Sequence, residues 1–174
     1  MKIWYACKVR FTKETEDGTL KQVTETFLID AVSYTEAETR IYAAMEQNIA
    51  GEFTINSISK TNLSEVINYE DVDTWYKCKV SYSTVDADSE KEIKINTYYL
   101  VSAQNVKEAY ERVEDNLSSM LVPFDIPSIT VTKIMEVFPY EKGDDEIPEN
   151  FKPLSEVEQA EEETAEEEVA ETEE

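Results

Sequence analysis

The chain has 174 residues, 41% of them hydrophobic, and carries 16 Lys+Arg against 39 Asp+Glu for a formal net charge of −23. That length allows one modest core or two small cores sharing an interface. There is no histidine, and the three glycines stand at 18, 51 and 143, so Ser-His and Cys-His catalysis are excluded and neither a phosphate loop nor a dinucleotide fingerprint can be written.

Residues 3–12, within "MKIWYACKVRFT", alternate as a strand. "KETEDGT" supplies a turn in which Gly18 is free to take positive φ, and residues 20–30 return as a second strand. Ser33 and Glu36 in "SYTE" form a capping box that starts a helix. Its Ala37, Ile41 and Met45 fall on one face and should cover a sheet. After Gly51 the run "FTINSISKTNLSEVI" predicts one long third strand.

The same order then recurs. "WYACKVRF" returns as "WYKCKVSY", identical at five of eight positions, and "FTINSISKTNLSEVINYE" returns as "FDIPSITVTKIMEVFPYE", identical at nine of eighteen. In the second copy Asn105 and Glu108 form the capping box, Ala109, Val113 and Leu117 the apolar helix face, and "ITVTKIMEVF", preceded by Pro123 and Pro127, the third strand.

The prediction is an α+β fold made by internal duplication of a ββαβ unit, mainly antiparallel, with two helices on one face. Residues 1–72 form the first repeat and 73–141 the second. Two three-stranded units with unpaired edges join most simply as one larger sheet or a pseudo-twofold pair. Residues 142–174 differ in kind. From 141 onward there are 2 Lys+Arg against 16 Asp+Glu, whereas residues 1–140 hold 14 against 23. "VEQAEEETAEEEVAETEE" has little to bury, which predicts a disordered acidic tail.

Alternation sorts the first strand of each repeat into two faces. Tyr5, Cys7, Val9 and Phe11, like Tyr76, Cys78, Val80 and Tyr82, face the core. The opposite face gathers Trp4, Lys8, Arg10, Trp75, Lys77 and Lys79, joined from the next strand by Lys94 and Tyr98. Aromatics for stacking, interleaved with cations for phosphates, are what an open sheet needs to bind a single strand of nucleic acid; each stacked base is worth about 1–3 kcal/mol. The competing expectation is ordinary packing, each Trp filling a gap under the third strand or between the repeats while Lys stems run past it.

The leading expectation is therefore a non-catalytic single-stranded DNA-binding protein of replication or recombination. The alternative is an acidic interaction module, an inhibitor or DNA mimic, since the folded part is itself net negative. An acidic tail behind a basic face is the arrangement of many replication-associated single-strand binders, where it competes with DNA and presents a docking segment to replication proteins. This chain departs from the bacterial type in ending "AETEE" rather than in an apolar tip, with "EIPENFKPL" at 146–154 as an internal substitute.

No cofactor, metal or catalytic residue is expected. Asp71 with Asp73, and Asp86 with Asp88, lack the rest of a calcium loop. Cys7 and Cys78 lie far apart on core faces without CxxC spacing, as reduced buried thiols. With neither a signal-peptide pattern nor an apolar run of spanning length, the sequence predicts a cytoplasmic protein with no membrane partner.

The W-Y-x-C-K-V strand, "ETFLIDAVSYTEAE" and the "SEVI" strand end together resemble a function-unknown domain family of gut Bacteroidetes and their tailed phages. The likeness covers about residues 1–145. It implies a bacterial or phage-infected cytoplasm and brings no activity or functional residues with it.

Overall fold

The computed structural model describes residues 2–87 and 90–140. The predicted acidic tail lies outside the described residues. The first hairpin is β1 (Ile3–Glu14) and β2 (Leu20–Ala31), closed by Gly18 at φ 74°. Helix α1 (Tyr34–Asn48) follows, then β3 (Phe53–Lys60) and β4 (Leu63–Ile67). The second half repeats this as β5 (Trp75–Val85), β6 (Glu92–Ser102), α2 (Val106–Asn116), β7 (Phe124–Val131) and β8 (Ile134–Phe138).

Both helices begin at their capping boxes. Ser33 Oγ accepts from the Glu36 amide at 3.2 Å, and Asn105 Oδ1 from the Glu108 amide at 3.0 Å. Each glutamate reaches back to the amide just before the cap, that of Val32 or Gln104, both at 2.6 Å, so two otherwise orphaned donors are satisfied at each start. The predicted helix faces are buried. Ala37, Ile41 and Met45 pack on Tyr5, Cys7, Val9, Phe27 and Ile29, and Ala109, Val113 and Leu117 pack on Tyr76, Cys78, Val80 and Val101.

The long third strand of each repeat is two strands. Thr61 donates both its amide and its hydroxyl to the Trp4 carbonyl, at 2.8 and 2.9 Å, while its hydroxyl accepts from the Leu63 amide at 3.4 Å. Thr132 does the same between Trp75 and Ile134. Each threonine thus folds the backbone into a local turn that ends the ladder.

The released strand joins the other repeat. One sheet has the order β3-β1-β2-β8 and the second β4-β6-β5-β7. Leu63 of β4 lies parallel and opposite Tyr98, and Ile134 of β8 lies parallel and opposite Thr26, which are equivalent registers. Reciprocal exchange at the same register closes only under twofold symmetry, so the pseudo-twofold pair is the arrangement adopted.

Two arginines hold the ends of the exchanged strands. Arg112 on α2 donates to the Ser102 carbonyl at 2.6 Å and to Asp71 and Glu108 at 2.8 Å, and its guanidinium lies 4.0 Å over the Tyr69 ring. The hydrogen bond from Arg112 holds the Asp71 carboxyl below its usual range. Arg40 on α1 is its counterpart, bonded to Asp30 at 2.9 Å and to the Pro139 carbonyl at 3.2 Å, 4.7 Å over Tyr140.

Each helix covers one face of its own sheet. The faces turned away from the helices meet over a third cluster of Leu28, Trp75, Leu100 and Val137, with Trp4, Ala6, Leu63, Val66 and Ile134 packed around it. Apolar burial at this junction joins the two halves.

Candidate nucleic-acid interface

The helix-free faces are where alternation placed the aromatic and basic residues. They divide into an apolar end, committed to the junction, and a polar stretch beyond it. Trp75 belongs to the apolar end and is 4% exposed, inside the shared cluster. Its assignment as a base-stacking residue is corrected accordingly: Leu28 of β2 and Leu100 of β6 pack with it, and β4 and β8, by crossing between the sheets, add Leu63, Val66, Ile134 and Val137 to the same cluster. Trp4 is half-buried at the edge of the same cluster. The pair is therefore no exposed stacking platform, and ordinary packing accounts for Trp75.

The polar stretches keep their cations. Lys8, Arg10 and Lys94 are exposed, and Lys77 and Lys79 are half-buried. Lys8 sits in the central strand of its sheet, opposite Thr26 on one side and Ser57 on the other. Lys79 sits in the equivalent position, opposite Tyr98 and Ser128. A lysine flanked by a serine hydroxyl at the same register thus occurs once in each sheet. Arg10, opposite Thr24 and Thr54, extends the first stretch.

In the second sheet Lys77 Nζ donates to Asn62 Oδ1 at 2.8 Å and lies 4.7 Å from the centroid of the Tyr98 ring. The half-buried Tyr98 is the aromatic that remains beside the polar stretch. Lys94 stands further along, opposite Ser83, at a recess of about 450 Å³ also lined by Ser81, Glu92 and Asp125.

Charge is segregated between the faces. The exposed side of α1 carries Glu38 and Glu46, and that of α2 carries Glu111, Glu114 and Asp115. On the sheet faces the acids Glu14 and Glu92 lie at strand ends, Asp30 lies opposite Trp4 and is ion-paired with Arg40, and Asp125 lies opposite Ser81, one pair beyond Lys79. The direct cross-strand partners of Lys8 and Lys79 are therefore all uncharged.

Asn62, Ser57 and Ser128 were missed by sequence reasoning. The two serines lie 71 positions apart, the same offset as Lys8 and Lys79, so the repeat alignment contained the signal. Asn62 became visible only once the third strand was known to break there. Asp71 of the weighed carboxylate pairs is engaged by Arg112, and Asp88 lies outside the described residues. Among the described residues no group of three or more His, Cys, Asp or Glu is arranged to hold a metal ion. No helix among them is long and apolar enough to cross a membrane.

Cys7 and Cys78 are fully buried. Burial pushes the Cys7 thiol up to about 12 and the Cys78 thiol to about 11, which disfavours the nucleophilic thiolate.

Residues 3–140 match the family described as a domain of unknown function, DUF4494, and the chain belongs to that family. No curated protein matches the sequence.

Proposed function

We propose that this DUF4494 protein is a non-catalytic single-stranded DNA-binding protein acting in replication or recombination, in the cytoplasm of a bacterium or a phage-infected host. It holds the sugar-phosphate backbone on the helix-free sheet faces, through Lys8, Arg10, Lys77, Lys79 and Lys94. The observation that carries this is the duplicated Lys-Ser constellation, Lys8 beside Ser57 and Lys79 beside Ser128, with no acid directly opposite either lysine on its neighbouring strands. A cation beside a hydroxyl donor suits a phosphate oxygen, and backbone contacts of this type carry no base information.

Because Trp75 is buried, stacking contributes less than alternation alone suggested, and affinity rests on counterion release. Binding is therefore steeply dependent on salt and tolerant of sequence. Tyr98, under Lys77, is the residue on which a base would rest. The acidic helix faces and the burial of Trp75 favour a second reading, an acidic protein-interaction module acting as inhibitor or DNA mimic.

Fluorescence polarisation of labelled oligo-dT, titrated with the full chain at several salt concentrations, separates the two. The binder gives an association constant that falls with salt, and Lys8→Gln with Lys79→Gln flattens the slope by roughly 0.7 per lost contact. An absence of binding at low salt leaves the interaction module.

A further inference from the structure

Twofold equivalence bears on how much nucleic acid one chain engages. The exchange of β4 and β8 at matching registers makes the halves interchangeable in their contacts, so whatever Lys8, Ser57 and Thr26 bind on one sheet has a counterpart at Lys79, Ser128 and Tyr98 on the other. The two stretches are not one continuous platform. Along the central strands they begin beyond the junction, at Lys8 after Ala6 and at Lys77 after Trp75, and the apolar cluster of Leu28, Trp75, Leu100 and Val137 occupies the junction from which both run. That cluster offers no cation to a phosphate, and its tryptophan is covered.

We propose that the protein carries two separate single-strand sites, one per sheet, and engages two strand segments at once. The preferred ligand is a nucleic acid presenting two single-stranded segments, such as a melted bubble or a folded-back strand, or two short strands. This rests on the nucleic-acid reading above and specifies the arrangement of that site.

The sites are equivalent in place but not in composition. The first has Arg10 and Thr26 where the second has Ser81 and Tyr98, and Lys77 with Asn62 stands where the first sheet has Ala6. The first is thus a purely cationic and hydroxyl site, and the second adds an aromatic ring. Two binding steps of unequal affinity follow. A ligand long enough to reach both sites gains from effective concentration, by about 10²–10⁴ over a short one.

The test is a calorimetric titration of the full chain at low salt with an oligo-dT of about eight nucleotides, within the usual footprint of one single-strand site. Two oligonucleotides per chain are expected, in two unequal steps. Lys8→Gln should abolish one step and Lys79→Gln the other, and Tyr98→Ala should weaken only the step that Lys79→Gln removes. A bubble duplex with two unpaired arms should bind one per chain and far more tightly than the short strand. Saturation at one oligonucleotide per chain, with Lys8→Gln and Lys79→Gln weakening the same single step, overturns the two-site arrangement while leaving single-strand binding intact. Absence of binding by every ligand removes the nucleic-acid reading and this inference with it. Circular dichroism of each variant confirms that lost steps are not lost folds, as expected for an exposed and a half-buried lysine.

Discussion

Replacing Trp75 by alanine should unfold the protein more readily rather than strip it of a binding residue. The side chain is 4% exposed and packs with Leu28, Leu100 and Val137 where the two sheets meet. A buried aromatic removes about 150–250 Å² from water. At about 25 cal/mol/Å² this corresponds to roughly 4–6 kcal/mol as an upper bound, in keeping with the ~3–5 kcal/mol typical of Trp→Ala in a core. A loss near 4 kcal/mol is a large share of the ~5–15 kcal/mol that stabilises a typical domain. It should lower the melting temperature by about 10 °C.

The half-buried Trp4 should show a smaller loss on the same substitution. Urea unfolding followed by circular dichroism measures both, and Trp75→Phe, which keeps most of the packing, reports on binding in a chain that stays folded. Its affinity for oligo-dT should match that of the parent. If Trp75→Ala shifts stability by less than about 1 kcal/mol, or if Trp75→Phe binds tenfold more weakly at unchanged stability, the ring is a binding residue and the packing account is wrong.

The helix caps give a second set of expectations: Ser33→Ala and Asn105→Ala should each cost about 1 kcal/mol in urea unfolding, because each removes the acceptor of a first-turn amide. Arg112→Ala should destabilise more than Asp71→Asn, since it removes donors to a buried-strand carbonyl and two carboxylates, whereas Asp71 is exposed; thermal melts of the two variants rank them. Cys7 and Cys78 should resist a thiol-specific reagent at pH 8 in the native state and react promptly in denaturant. Both thiols are raised above the ordinary 9.0. Their contribution to stability is therefore fully present below pH 9 and is lost as pH climbs toward 11 and 12. The melting temperature of the parent should fall faster above pH 9 than that of a Cys7→Ala, Cys78→Ala chain.

Much of the fold was legible because two independent periodicities agreed. Alternation put Cys7 and Cys78 in the core, the capping boxes fixed both helix starts, and the 71-residue offset made each half a check on the other. The strand exchange was not legible. "FTINSISKTNLSEVI" alternates well enough to read as one strand, and only the pairing of Thr61 with the Trp4 carbonyl, a contact 57 residues long in sequence, ends it. The fate of Trp75 follows from the same omission, because residues from β4 and β8 help to cover it. Alternation tells which face a side chain takes, not whether another sheet lies over that face. The cations were easier: Lys8, Arg10 and Lys94 are exposed as alternation implies, while Lys77 and Lys79 are half-buried, Lys77 against Asn62 just before an exchanged strand.

The most direct test of the sheet-face interface is a residue-resolved map of amide chemical shifts in the full chain as unlabelled oligo-dT is added at low salt. The largest changes should fall on residues 8–10, 57–59, 77–80 and 128–130, with α1 and α2 unmoved. Changes concentrated on the acidic faces of α1 and α2, with those four stretches silent, would contradict it.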